Sequence, residues 1–334
     1  MRSMRAAVFY KAGDLRVEER EKPVCGAGQV LLRVRACGIC GTDAHIFCGD
    51  EGAAKTPAGT VLGHEFAGEV AAIGAGVTGI AVGDRACVDP NRLCGKCDFC
   101  RRGIGHICTD MMGIGTTVDG GFAEYCAVPA SQVYVVPPTL AFEKAAMAEP
   151  VSCCLHGIEL ADIHMGDTVA VIGCGMIGLL MIQLARIAGA ARIIAVEPIE
   201  EKRALARRCG ADVVLAPDAA GINEQIDSVI ECVGKVETVQ FAIAMAGKRS
   251  TVLLFGLTAP ADKAEIEPFA LFKKEITLRA SFINPYTFPA AVRLIEGGRL
   301  DVSSMVYATA SLTALPDILA DEQKRRAGKY IITM

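Results

Sequence analysis

Residues 169–172, Val-Ala-Val-Ile, run straight into Gly173-Cys174-Gly175-Met176-Ile177-Gly178, and a helical pattern follows over Met176–Ala188. A lone G-x-G-x-x-G constrains little. One that leaves a strand and opens a helix inside a βαβ unit constrains a great deal, because each glycine has its own task. Gly173 permits the tight turn, Gly175 lets the backbone approach a pyrophosphate, and Gly178 lets helix and strand pack closely. The helix N-terminus then faces the anion, so Met176 and Ile177 join the glycines as candidate cofactor contacts.

The flanking sequence supplies the βαβ context. Strand-like runs at Thr168–Ile172, Arg192–Val196, 212–215, Ser228–Glu231, Thr251–Leu254 and 276–280 alternate with helical patterns at Met176–Ala188, 200–209, Val236–Met245 and 269–274. Such alternation implies a doubly wound parallel sheet with helices on both faces. Glu197 stands nineteen residues after Gly178, at the end of Arg192–Val196. A carboxylate there accepts hydrogen bonds from an adenosine ribose and repels a 2′-phosphate, so NAD is expected over NADP. Pro198 follows it, not a Ser or Arg suited to a phosphate.

Before residue 153 the texture is different. Short strand-like runs at 6–9, 30–36 and 69–73, and a Val82-Gly83-Asp84-Arg85 turn into 86–88, point to a β-rich barrel or sandwich. The tail leaves through Asn284-Pro285, continues as a helix at Phe288–Glu296 and ends as a strand at 330–333. It is expected to return to the first domain. A length of 334 residues suits two domains, and 52% apolar against 22% charged residues supports a substantial core. A net charge of −4 with no basic tract excludes a nucleic-acid footprint. Residues 168–185 lack charge, yet three glycines, Gln183 and the change from strand to helix pattern argue against a membrane span.

Fifteen cysteines in a secreted chain would suggest disulfides. The opening ten residues form a short mixed run with Arg2 and Arg5 rather than a signal peptide, so a cytoplasmic chain is expected and the thiols point to metal. Cys94, Cys97, Cys100 and Cys108 follow C-x2-C-x2-C-x7-C. Four soft thiolates on one short loop fit tetrahedral zinc with no open position, a structural role. Close cysteines also hold iron–sulfur clusters; the rest of the chain favours zinc.

A second donor set is scattered. Gly38-Ile39-Cys40-Gly41-Thr42-Asp43 is followed by His45, then Gly63-His64-Glu65, and much later Ala148-Glu149-Pro150. Together these supply S, N and O donors, as an open catalytic zinc site requires. On spacing alone Cys37 competes with Cys40 for the ligand role.

With these motifs in hand, the chain resembles the medium-chain zinc-dependent alcohol dehydrogenase family over essentially its whole length. The resemblance implies a GroES-like β-rich catalytic domain at residues 1–149 plus 285–334, with a Rossmann NAD-binding domain at 150–284 inserted in it. The active site is then expected in the cleft between them. It implies two zinc ions per subunit, with Cys40 and His64 as ligands of the catalytic one and Cys37 not. Glu65 and Glu149 sit where relatives place a further ligand or close metal neighbour, and Glu149 in place of Cys is similar to the polyol and sorbitol branch. Thr42, the cofactor ribose and His45 match the proton relay, and Asp43 the carboxylate that orients His64. Lys202 lies where relatives often set a basic residue against the ribose, and Phe255-Gly256-Leu257 is expected to pack on the cofactor.

In sorbitol dehydrogenases an Arg–Tyr pair and a further Tyr contact the polyol; the matching positions are Ile283, Asn284 and Ile46, so that pattern is not preserved. The expected activity is reversible NAD-linked oxidation of a secondary alcohol, of polyol or sugar-alcohol type, to a ketone. A threonine- or butanediol-type dehydrogenase is the runner-up, and a crystallin-like or regulatory protein keeping only the fold is the non-enzyme alternative. The resemblance also implies a homodimer or homotetramer.

Overall fold

Gln29–Gly38, QVLLRVRACG, carries the branched and alternating residues of a largely buried strand and forms the centre of the first unit's main sheet. The computed structural model describes residues 3–50, 55–218 and 225–334. They divide into one unit of Met1–Ser152 with Pro285–Met334 and another of Cys153–Asn284.

In the first unit, Gln29–Gly38 pairs antiparallel with Glu65–Ile73 on one side. On the other it pairs antiparallel with Lys329–Thr333 from the chain's last strand. The tail therefore does return to the first domain. Gly38 lies opposite Glu65 on one flank and Ile331 on the other. Leu32, Val34, Leu62, Phe66, Val70, Phe122 and Ile332 form the core of this unit. Burying each such side chain contributes about 1.5–3 kcal/mol. A smaller sheet joins Asp14–Glu21, Ser3–Lys11 and Thr60–Val61. Asp14–Glu21 is a strand the sequence hides, because six of its eight residues are charged and only Leu15 and Val17 are apolar.

The second unit holds a six-stranded parallel sheet in the order Val213–Leu215, Arg192–Val196, Thr168–Ile172, Ser228–Glu231, Thr251–Leu254, Thr277–Ala280. Thr168–Ile172 is thus the strand from which the chain winds first one way and then the other. Such a switch opens a crevice at the strand's carboxyl end. Ala170, Ile172, Ile194, Val196, Val229 and Val252 fill the core below. The uncharged run at 168–185 is divided between the strand Thr168–Ile172 and the helix Met176–Ala188. Among the described residues no helix is long and apolar enough to cross a membrane.

Candidate metal centres and cofactor turn

The four-cysteine lobe folds on itself. Cys94 and Cys100 Sγ lie 3.9 Å apart, and Cys97 and Cys108 Sγ 3.8 Å. A tetrahedron with Zn–S bonds of about 2.3 Å has edges of about 3.8 Å, so these sulfurs fit a single zinc ion. A multi-iron cluster would hold its thiolates further apart. The amides of Cys94 and Asp110 donate to Cys108 Sγ, that of Cys97 to Cys94 Sγ, and that of Cys100 to Cys97 Sγ, at 3.4–3.5 Å. The amides of Cys100 and Thr109 bring the Cys97 thiol down to about 6. Desolvation and its thiol neighbours push Cys100 up to about 12. Four thiolates this close repel one another, so a cation is what allows all of them to ionise.

The second donor set is assembled by strand pairing. Cys40 ends the turn after Gln29–Gly38 and stands just before the helix Gly41–Cys48. His64 and Glu65 lie at the start of the neighbouring strand. One ligand atom each from Cys40, His64 and Glu65 falls within 4.8 Å of the others. Asp43 organises the set: Oδ2 accepts the Cys40 amide at 2.8 Å and Oδ1 faces His64 Nδ1 at 3.5 Å. That leaves Nε2 of His64 for a metal. Burial disfavours the His64 imidazolium, but the negative charges of Asp43 and Cys40 outweigh it and carry its pKa well above the usual histidine value. The pocket is therefore built to hold positive charge.

Glu65 is fully buried, and its Oε1 has no hydrogen-bond partner. Its other oxygen, Oε2, is held by Lys329 Nζ, which also donates to the Ile39 carbonyl at 2.9 Å. Gly38 makes this meeting possible, since a Cβ there would lie 2.8 Å from Lys329 Cε. Lys329 is 3% exposed, and sequence reasoning missed it. Its only signal was a lone charge ahead of an apolar strand, which is common at strand ends. An orphaned carboxylate oxygen beside a thiol and an imidazole is a donor set suited to zinc with a position left for substrate.

Cys37 stands apart from this set. It is fully buried, burial pushes its thiol well up, and it faces Gly63, where a Cβ would lie 2.8 Å from its sulfur. Glu149 is 7% exposed in the first turn of Ala148–Ala161 and is not among the donors that converge within 4.8 Å. Thr42 Oγ1 lies 3.8 Å from Cys40 Sγ. His45 sits three residues on, along the same helix face, and its Nδ1 meets Asp50 Oδ2 at 3.2 Å. Asp50 is a second residue that sequence reasoning missed. Ile46 is a core residue, and Asn284 is 3% exposed.

In the second unit the three glycines differ as their tasks require. Gly173 has φ +88°, and a Cβ there would lie 2.5 Å from Val233 Cγ2. At Gly178 a Cβ would run into the Gly173 carbonyl oxygen. At Gly175 it would meet nothing within 4 Å, so the backbone there stays open to close approach from outside the turn. Gly175 precedes Met176–Ala188 without a side-chain cap, leaving the first amides of Met176 and Ile177 to an anion. Glu197 is 5% exposed; Oε2 accepts the Cys174 amide at 2.8 Å and Oε1 the Ile199 amide at 3.0 Å. Each oxygen keeps a lone pair for a ribose hydroxyl. Lys202 is half-buried in the helix Glu200–Arg208 that follows Glu197. The amides of Phe255 and Gly256 donate to the Glu231 carbonyl, and Leu257 is 61% exposed beyond them.

Residues 26–138 match the alcohol dehydrogenase GroES-like domain, and residues 177–297 the zinc-binding dehydrogenase family. An L-threonine 3-dehydrogenase of Caldanaerobacter subterraneus subsp. tengcongensis is 32% identical over 97% of this chain and 96% of its own. D-arabinitol dehydrogenase 1 of Uromyces fabae is 33% identical over 98% and 97%. A crystal structure of a zinc-binding dehydrogenase from Sinorhizobium meliloti 1021 bound to NADP superposes with a TM-score of 0.95, at 36% identity over the whole of both chains.

Proposed function

The chain belongs to the zinc-binding alcohol dehydrogenase family with a GroES-like domain, and from that premise we propose that it oxidises a secondary alcohol, of polyol or sugar-alcohol type, to a ketone with NAD, reversibly. The convergence of Cys40, His64 and Glu65, with one buried carboxylate oxygen left free, carries the reading. Bound zinc would supply Lewis acidity toward a hydroxyl oxygen, and a bound nicotinamide dinucleotide would supply the hydride acceptor. The remaining work falls to the chain. Asp43 holds both Cys40 and His64 in place. Thr42, beside the Cys40 sulfur, takes the hydroxyl proton, because its own hydroxyl both accepts and donates. His45, part-exposed and oriented by Asp50, hands a proton to solvent. Lys329 grips one oxygen of Glu65 and leaves the other without a hydrogen bond, so that it would be available as a ligand atom.

The polyol class draws on the D-arabinitol and sorbitol dehydrogenases among the relatives. The threonine 3-dehydrogenases among them favour an amino-alcohol substrate as the second reading. NAD is preferred because Glu197 turns its carboxylate into the glycine turn. The relative bound to NADP makes this preference a point to measure. We assign the chain to the cytoplasm, where its fifteen cysteines, none of them in a disulfide, stay reduced. A homo-oligomer is proposed through the sheet-edge strand Thr277–Ala280; Phe269 and Phe272, on the helix that precedes it in the chain, are exposed at 71% and 77%.

One experiment decides the function. Zinc-loaded protein is given polyols, amino alcohols including threonine, and diols, each with NAD and NADP, and the reduced cofactor is followed by absorbance. Turnover of polyols with NAD supports the proposal. Turnover confined to threonine moves it to the second reading. No hydride transfer from any alcohol overturns it in favour of a protein that keeps only the fold.

A further inference from the structure

The strand Ser228–Glu231 ends in a carboxyl group that the chemistry above does not use. Glu231 is fully buried. Its Oε1 accepts three hydrogen bonds, from the Val233 amide at 2.7 Å, the Gly234 amide at 2.9 Å and the Thr238 hydroxyl at 2.8 Å. Its main-chain carbonyl accepts the amides of Phe255 at 3.0 Å and Gly256 at 2.9 Å. Its Oε2 is buried without a hydrogen-bond partner and faces Gly256, where a Cβ would come within 2.7 Å of it. One residue therefore ties together two loops, 232–235 and 255–257, which leave the carboxyl ends of adjacent parallel strands.

The same loops reach the glycine turn. The Cys232 amide donates to the Ile172 carbonyl at 2.9 Å. Val233 packs under Gly173, as the 2.5 Å approach to its Cγ2 shows. Gly234, at φ +76°, lies against the Leu257 backbone, and a Cβ on either Gly234 or Gly256 would collide with the opposite loop. The loops thus interlock without side chains, and their amides need an acceptor below them. Glu231 is that acceptor.

We propose that Glu231 is a positioning residue for the dinucleotide: by gathering the amides of both loops it fixes 232–235 and 255–257 as one shelf beside the glycine turn. This rests on reading the second unit as the dinucleotide-binding one. Glu231 itself is buried and does not touch the cofactor; its effect passes through the shelf. A shelf of this kind bears on cofactor affinity and leaves the alcohol site and its zinc alone.

The test uses NADH as probe on the zinc-loaded full chain. Because the chain has no tryptophan, nicotinamide fluorescence reports binding directly. Glu231→Gln keeps one oxygen for the three donors at Oε1 but puts an NH2 donor without an acceptor at the buried, unpartnered place of Oε2. NADH affinity should fall about tenfold or more, the cost expected of a donor left unpaired in a buried turn. KM for the cofactor should rise in step. The kcat at saturating cofactor, KM for the alcohol and the zinc content should stay within about threefold of wild type on the same reasoning. Thr238→Val removes one of the three donors to Oε1 from the first turn of the helix Val236–Met245, and should weaken NADH by a smaller factor. It decides the matter if Glu231→Gln does not fold. Unchanged NADH affinity in a folded Glu231→Gln, or in Thr238→Val where only that variant folds, overturns the proposal. A fall in kcat and zinc content with cofactor affinity intact does so as well. Wild-type protein that fails to bind NADH would refute the dinucleotide reading itself, a distinct outcome.

Discussion

Lys329→Met keeps the length and most of the volume of the side chain but removes the ammonium from beside Glu65. Both partners are buried, at 3% and 0% exposure, and Lys329 also serves the Ile39 carbonyl. Burial acts against the lysine charge, yet Glu65 and then Cys40 outweigh it, so the folded pKa of Lys329 is raised. Removing one partner of a buried pair costs about 3–5 kcal/mol, because the other is left without compensation. For a unit of this size each kcal/mol is worth about 2–4 °C, so Tm should fall by roughly 6–20 °C in metal-free protein. Zinc bound by Cys40, His64 and Glu65 returns positive charge to the carboxylate, so the loss should be smaller in the zinc-loaded form. Adding Glu65→Gln should recover most of the metal-free loss, since neutralising both partners is far cheaper than stranding one.

The sign with pH follows from the raised lysine. Its contribution is fully present below the unfolded lysine value of about 10.4 and is lost as pH rises through the folded value. Wild-type stability should therefore show an alkaline decline that Lys329→Met lacks. The assay is thermal unfolding followed by circular dichroism, with and without chelator, across pH 7–11. Equal Tm for Lys329→Met and wild type in chelator would refute the buried-pair reasoning.

Cys40→Ser should lose the catalytic zinc and activity, while Cys37→Ser, whose side chain faces the core at Gly63, should keep the metal and lose only stability; metal analysis showing equal loss in both would sink the assignment. Glu197→Gln should weaken NADH by about tenfold to a hundredfold and relax rejection of NADP, since one oxygen that holds the glycine turn becomes a donor. A wild type that prefers NADP would contradict it. Thr42→Val should cut turnover by about a hundredfold or more with zinc and NADH binding near normal. His45→Gln, at the solvent end, should cost roughly tenfold and be partly rescued by small amine buffers. Wild-type turnover in either variant removes that residue from proton transfer.

What the sequence determined by itself is local. The glycine turn was legible because the three spacings and the strand before them act within ten residues. The four-cysteine lobe was legible because its ligands span 94–108 and need no distant partner. Thr42, Asp43 and His45 stood out through the motif that carries the family resemblance, and the short helix that holds them together came only with the structure. Parallel-sheet strands such as Arg192–Val196 announced themselves as continuous apolar runs, being buried on both faces. The tertiary structure decided everything that pairs across the chain. Lys329 meets Glu65 across 264 residues only because the last strand returns to lie beside Gln29–Gly38, and Gly38 leaves the gap between them. Glu231 looked like the end of a strand until two loops closed over it. Cys37 and Cys40 were equal on spacing, and what separates them is the direction of a side chain, which strand register sets and composition does not record.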